Sequence, residues 1–461
     1  MSSNMVPTTL VIFGATGDLA EKKLIPALLD LFTKDLLSER FRILGISRRL
    51  KDSEDFRKFA REVIQKKKHS HSKSIIETFL GTLSYFPGEL QDKETYKKIS
   101  EELAVADKQL GQCSNKLFYL AVSPAFYDSI FQNLHDSGLS ISCSGEAGWT
   151  RVLVEKPFGN DLETAKLLDR KLGLLFDEDQ IFRIDHYLAK ETLQNILAFR
   201  FSNSLFEPIW NRGFIKRIDI KLLEADGIGG RGAFYDGVGA LRDVGQNHLL
   251  QMLAFVAMED PKSLYAATVR KNRARILEML RPIDIGNMKR LVSRGQYKEY
   301  KAEENVNPNS QTETHFKIGV YIDNDRWQGV PFVLESGKKM KGNLTEISVY
   351  FKESEPFSNL PEDEKECQNV LKFHIQPKEG ISVVFWAKKP GFKMELEPRE
   401  LSFEYGKSKD DAALPDAYER ILYDCINGDQ TLFASTEEVE AAWRFITPIL
   451  ENWQHFPLDI Y

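Results

Sequence analysis

An apolar, β-branched run from Thr8 to Phe13 is followed by a glycine-containing turn, and then by apolar positions at helical spacing from Leu19 to Phe32. That order predicts strand, turn and helix. A second apolar strand is expected at Phe41 to Ile46 and later ones at Leu117 to Val122 and Val152 to Glu155, with helical sequence such as Asp52 to Lys68 between them. Strands alternating with helices imply a parallel, doubly wound α/β sheet over the first part of the chain. Further on the rhythm changes. Strand-like runs at Ile215 to Leu223, Glu313 to Ile322, Leu344 to Phe351, Asn369 to Ile375 and Ile381 to Trp386 have few helices between them. They predict a mainly antiparallel sheet in a second, α+β domain. The polar stretches Glu303 to Thr312 and Glu353 to Cys367 read as exposed loops.

A chain of 461 residues exceeds what one core usually covers, so more than one domain is expected. The 62 basic and 68 acidic residues leave a net charge of −6, which gives no global reason to bind nucleic acid or an anionic membrane. The one dense basic run, from Lys66 to Lys73, is short and reads as a solvated loop. Cys113, Cys143, Cys367 and Cys425 stand far apart with no C-x-x-C pair, so neither a zinc site nor a disulfide framework is expected. The start of the chain lacks the features of a signal peptide, and no apolar run is long enough to span a bilayer. A cytoplasmic location is the resulting expectation.

Several motifs carry chemistry. In Gly14-Ala15-Thr16-Gly17-Asp18-Leu19-Ala20 the glycines would let backbone approach a pyrophosphate at a helix N-terminus, although the spacing suits an ordinary structural turn as well. The second strand ends in Ser47-Arg48-Arg49, where cations suit a ribose 2′-phosphate and favour NADP over NAD. Glu155-Lys156-Pro157-Phe158-Gly159 follows another strand end, a place where ligands bind in parallel sheets or where a surface ion pair sits. If a helix starts near Tyr187, His186 and Lys190 share its first turn and can face one anion. His248 lies in a polar-rich stretch, Gly239 to Gln251, beside the apolar run Leu249 to Val256; a polar helix face is the plainer reading of it. At α-helical pitch Asp243 and His248 stand about 140° apart, which does not bring them together.

Taken together, these segments resemble glucose-6-phosphate dehydrogenase over essentially the whole chain. The matches are GATGDLA at 14–20, EKPFG at 155–159, RIDHYLAKE at 183–191, RGAFYDGVGALRDVGQNHLLQ at 231–251, DRWQGVPF at 325–332, SGKKM at 336–340 and the segment 414–443. The resemblance implies a Rossmann-type NADP-binding domain over 1–182 and an α+β substrate-binding and dimerisation domain over 183–461. It implies oxidation of glucose 6-phosphate at C1 to 6-phosphogluconolactone, the first step of the oxidative pentose phosphate pathway. His248 would be the base and Asp185 its carboxylate partner; an imidazole, titrating at about 6.5 in water, suits that work at neutral pH. His186, Tyr187 and Lys190 would hold the 6-phosphate, with Lys156, Glu224, Asp243 and Lys338 binding sugar groups or phosphate. Gly14, Gly17, Asp18, Leu19 and Arg48 would bind NADP, and Lys156 would approach it too. No metal is implied, and a homodimer joined through the second domain's sheet is.

Two departures stand out. Ala189 replaces the family's usual glycine, and Glu335 stands where members with a second, structural NADP carry a basic residue. In the later strand Ser382 and Val384 align with a tyrosine and a lysine of those members, so one NADP per subunit is expected. The rival readings are a dehydrogenase of the same build for another hexose or hexose phosphate, and a non-catalytic NADP-binding sensor.

Overall fold

The computed structural model describes residues 6–67, 71–143, 148–353, 367–406 and 414–461. The middle of the basic run and most of the loop expected after Glu353 lie outside them. Six strands come first: β1 (Thr8–Phe13), β2 (Arg42–Ser47), β3 (Leu83–Pro87), β4 (Asn115–Leu120), β5 (Thr150–Val154) and β6 (Ile181–Ile184). Next are β7 (Ile215–Leu223), β8 (Val292–Gln296), β9 (His315–Val320), β10 (Phe332–Gly337) and β11 (Leu344–Phe351). The last are β12 (Val370–Gln376), β13 (Gly380–Lys388), β14 (Leu396–Glu404), β15 (Phe433–Ala434) and β16 (Leu458–Ile460).

The chain forms two compact units. The first comprises the chain up to Gly159, Lys166–His186 and Pro415–Ser435. Its sheet has the order β15-β6-β5-β4-β1-β2-β3. The first six strands run parallel, and β15 adds antiparallel to β6. Every residue of β1 and β4 is buried, because helices cover both faces of a parallel sheet. The chain leaves β1 toward β2 on one side and reaches β4 on the other, so the strand order reverses at β1 and opens a crevice at the carboxyl ends of β1 and β4.

The second unit comprises Asn160–Ala165, Tyr187–Leu414 and Thr436–Tyr461. Its nine-stranded sheet runs β14-β13-β12-β11-β7-β10-β9-β8-β16. Pairing is antiparallel except for β7 with β10 and β8 with β16, as the second-domain expectation requires. The helix Leu250–Ala257 is buried on every side. Its last carbonyls are met by side chains: the Trp210 indole donates to Val256 O at 2.8 Å, the Trp327 indole to Ala257 O at 2.8 Å, and Arg200 Nη1 to Met258 O at 2.8 Å. Arg273 and Glu438 form a salt bridge at 2.7 Å with neither side chain exposed, joining the helices Ala266–Glu278 and Thr436–Glu451.

Three local expectations change. Cys113 and Cys143 form a disulfide, with Cα atoms 6.4 Å apart. Cys113 lies just before β4 and Cys143 lies on the segment that leads to its neighbour β5, a proximity that a sequence separation of 30 conceals. No helix starts at Tyr187; residues 186–190 form turns and the helix is Glu191–Phe201. The stretch containing His248 begins not as an α-helix but as a π-helix, Leu241–Leu249.

Candidate active site

In the first unit a cavity of about 360 Å³ opens at the carboxyl ends of β1, β2, β3 and β4. Gly14 and Gly17 line it. Gly14 has φ +83°, and a Cβ there would collide with Ala121 O and with Val122, so only glycine fits. The turn is closed by Gly14 N donating to Ile46 O at 2.9 Å and Gly17 N to Gly14 O at 2.9 Å. Arg48 lies on the wall with its side chain 76% exposed and its guanidinium 3.9 Å from Glu89. Its neighbour Arg49 is bound inward, donating to Thr16 O at 3.0 Å. Asp18 is exposed and accepts from Lys22 at 2.7 Å, a contact that holds its carboxyl below the usual range. Leu19 is the N-cap of the π-helix Ala20–Leu24. Neither Asp18 nor Leu19 is among the residues lining the cavity. Thr16 and Arg49, both within the motifs read above, also line it, as do the Gly88–Gln91 turn and Ala121–Ser123, to which the sequence assigns no binding role. The strand expected at Leu117 to Val122 ends at Leu120, which leaves Ala121–Ser123 at the cavity. A cradle that admits backbone but no Cβ, beside an exposed guanidinium, fits a phosphate-bearing dinucleotide.

Also in the first unit, Lys156, Asp185 and His186 follow the carboxyl ends of the adjacent strands β5 and β6. Asp185 is 3% exposed. The His186 ring stacks on Tyr418 with centroids 6.2 Å apart. Glu155 accepts from the Tyr119 hydroxyl at 2.6 Å, while the Tyr127 hydroxyl donates to its backbone carbonyl at 3.0 Å. Burial pushes the Glu155 carboxyl up to about 7, against the stabilising contacts of Tyr119, Lys156 and Tyr418.

In the second unit the Tyr187 ring packs against the His248 ring, with centroids 4.5 Å apart, and the Tyr187 hydroxyl donates to Gln376 at 3.4 Å. Lys190 caps the helix Glu191–Phe201 and lies 3.8 Å from Glu379, whose carboxylate accepts from Thr192 N at 3.0 Å. Gln376 and Glu379 flank a strand end remote in sequence; Gln376-Pro377 is a family motif there, but the sequence alone assigns neither residue to the site. Ala189 is buried with a φ that is not positive, so the added methyl is accommodated without a left-handed backbone.

The π-helix Leu241–Leu249 holds His248, 2% exposed, near its end. A ladder closing i→i+5 winds more residues into each turn than an α-helix, so the angle that α-helical pitch gives between Asp243 and His248 does not apply here. Glu313 anchors the start of this helix: its carboxylate accepts from Leu241 N at 3.0 Å and from the Trp453 indole at 2.9 Å. Gly239, at φ +77°, is required there because a Cβ would strike that carboxylate.

Glu224 and Lys338 emerge side by side because each follows the last residue of one of two paired parallel strands, with Leu223 opposite Gly337. Lys338 donates to Glu224 at 2.5 Å while only 4% of its side chain is exposed. Backbone bonds fix the pair: Glu224 N donates to Gly337 O and Met340 N to Glu224 O, both at 2.9 Å. Between them Lys339 takes φ +55°, a left-handed conformation that non-glycine residues adopt at local cost. Glu335 accepts from His315 at 3.2 Å, and together with Lys221 and Lys317 nearby this holds its carboxyl below the ordinary range.

Comparison with known proteins matches these units to two family models, described as glucose-6-phosphate dehydrogenase, NAD binding domain, over residues 11–195, and glucose-6-phosphate dehydrogenase, C-terminal domain, over 197–461. A glucose-6-phosphate 1-dehydrogenase of Aggregatibacter actinomycetemcomitans is 42% identical, covering 96% of this chain and 90% of its own. One from Chlamydia muridarum is 40% identical, covering 97% and 90%. A solved glucose-6-phosphate dehydrogenase in complex with glucose 6-phosphate superposes with TM-score 0.90 at 33% identity, covering 99% of this chain and 94% of that one. Levoglucosan dehydrogenase, with TM-score 0.55 at 9% identity, shares the fold alone.

Proposed function

The chain belongs to the glucose-6-phosphate dehydrogenase family, and from that premise we propose that it oxidises glucose 6-phosphate at C1 to 6-phosphogluconolactone, with NADP as the hydride acceptor, at the entry of the oxidative pentose phosphate pathway. The observation that carries the reading is the buried His248 ring packed on Tyr187. In this reading His248 takes the proton of the C1 hydroxyl, and Asp185 orients it and offsets the charge it gains. Lys190, His186 and Tyr187 hold the 6-phosphate. Glu224, Asp243, Lys338 and Lys156 fix the sugar, Glu224 and Lys338 as an ion pair already ordered by strand-end hydrogen bonds. NADP, when bound, accepts the hydride. Gly14 and Gly17 admit its pyrophosphate, Asp18 and Leu19 begin the helix above it, and Arg48 faces its 2′-phosphate.

The subunit pairs with a second copy through the outer strands of the nine-stranded sheet. Leu401 and Phe403 on the edge strand β14 are 66% and 50% exposed, and an apolar edge of that kind is usually covered. One NADP binds per subunit, since Glu335 already has cationic neighbours and its carboxylate would repel a second phosphate. Among the described residues no helix is long and apolar enough to cross a membrane. The test is the initial rate of NADPH formation with glucose 6-phosphate, glucose and galactose 6-phosphate. A clear preference for the first supports the reading, and an equal or higher rate with either of the others overturns the substrate assignment.

A further inference from the structure

Tyr235, Tyr297 and Tyr300 form one cluster in the second unit with Ile228 and Val306. The hydroxyls of two of the tyrosines are committed: Tyr297 donates to Glu303 at 2.9 Å and Tyr300 to Asp236 at 3.1 Å. Tyr235 differs. Its side chain is wholly buried, yet its hydroxyl has no hydrogen-bond partner among the described residues. A buried phenol left so is costly in a folded protein and calls for a reason.

The surroundings supply one. The Lys338 ammonium, the same group that donates to Glu224, stands 5.5 Å from the centre of the Tyr235 ring. Burial first, and then Asp243, Glu313, Tyr300 and Glu224 acting electrostatically, hold the ionisation of the phenol well above the ordinary range. The hydroxyl therefore keeps its proton and is free to donate it toward an acceptor that the described residues do not provide. Three of these neighbours, Glu224, Asp243 and Lys338, are the groups assigned above to the sugar. Lys338 is held by its own backbone as well, its N–H donating to Thr314 O at 2.9 Å and its carbonyl accepting from the Tyr461 hydroxyl at 2.7 Å. The cation above the ring is thus fixed, and it leaves the ring face, not the hydroxyl, engaged.

We propose that Tyr235 is a specificity-determining residue whose hydroxyl donates a hydrogen bond to a ring hydroxyl of the bound sugar, beside Glu224, Asp243 and Lys338. The inference rests on the substrate site described above and adds to it a neutral donor of fixed geometry. Such a donor discriminates strongly, because an analogue lacking the matching hydroxyl leaves the buried phenol without an acceptor.

Tyr235→Phe isolates the hydroxyl, since the ring and its contact with Lys338 remain. The KM for glucose 6-phosphate should rise about tenfold, the factor expected for one hydrogen bond. kcat should stay within about threefold, the KM for NADP should not change, and the thermal midpoint should not fall. Among the 2-, 3- and 4-deoxy analogues of glucose 6-phosphate, one should bind wild type and Y235F equally, while the other two keep the difference. An unchanged KM with a lowered midpoint, or an equal loss with all three analogues, overturns the proposal. Calorimetric binding of glucose 6-phosphate to both proteins separates this from the functional reading. If wild type binds the sugar but does not oxidise it, the activity assignment fails, and the ratio of the two dissociation constants still decides the role of Tyr235. If wild type does not bind it, both are rejected.

Discussion

The Tyr187 and His248 rings meet at 4.5 Å between a turn that precedes one helix and the last turn of a π-helix. Two elements distant in sequence thereby hold one imidazole in a single orientation, and burial at 2% exposure keeps bulk water from it. A base placed in this way is worth about 10² to 10⁴ in rate. His248→Asn keeps a polar side chain of smaller size, so kcat should fall by that factor while the binding of glucose 6-phosphate survives. Steady-state kinetics with calorimetric binding checks it, and near-normal turnover in the variant removes His248 from the role of base.

Lys190 lies 3.8 Å from Glu379, a carboxylate itself fixed by Thr192 N–H. At that distance the ammonium is not tightly bonded to it, and only a ligand carrying a phosphate gains from the ammonium. Lys190→Ala should raise the KM for glucose 6-phosphate roughly 10- to 100-fold, the range expected for one charge-assisted hydrogen bond. Use of free glucose should change little. If both substrates lose alike, Lys190 does not read the phosphate.

Arg48 projects from the end of β2 with 76% of its side chain exposed, and its carboxylate neighbour Glu89 lies 3.9 Å away, too far for a tight bond. Little has to be broken when a 2′-phosphate takes the guanidinium. Arg48→Ala should therefore weaken NADP by roughly 10-fold or more and leave NAD almost untouched. Fluorescence titration with both dinucleotides measures this, and equal losses reject Arg48 as the discriminator.

Much of the architecture was legible because the residues that build it repeat locally. Thr8–Phe13, Ile215–Leu223 and Leu344–Phe351 are strands with the bounds their apolar runs indicate. What escaped reading was set by distance or by backbone geometry. A two-residue strand such as Phe433–Ala434 has no periodicity to detect, and its pairing with Ile184 spans most of the chain. The disulfide of Cys113 and Cys143 depends on two parallel strands being neighbours. In the site, Gly14 and Gly17 announced themselves through their turn, whereas Glu379 and Gln376 reach Lys190 and Tyr187 from a strand end remote in sequence, whose Gln376-Pro377 pair does not by itself tell what it touches. The i→i+5 ladder around His248 was hidden for another reason: apolar spacing alone does not separate a π-turn from an α-turn, so the α-helical angle between Asp243 and His248 does not describe this stretch.

Glu155 makes the pH dependence of stability testable. Its carboxyl is enclosed by Tyr119, Tyr127 and Tyr418, and burial raises it from the ordinary 4.5 to about 7, with nearby Asp185 adding to the rise and Tyr119, Lys156 and Tyr418 opposing it. In the unfolded chain the group loses its proton near 4.5, while the folded protein keeps it until about 7. Between those values the folded state binds more protons than the unfolded one, so this group's contribution to stability is complete below the lower value and is lost as pH rises toward the upper one. Glu155→Gln retains an oxygen to accept from Tyr119 and removes the titration. Thermal midpoints measured from pH 4.5 to 8 should show wild type losing ground to the variant as pH rises and levelling off past about 7. Parallel profiles across that window mean that Glu155 is ionised throughout, and that its tyrosine and lysine contacts outweigh burial.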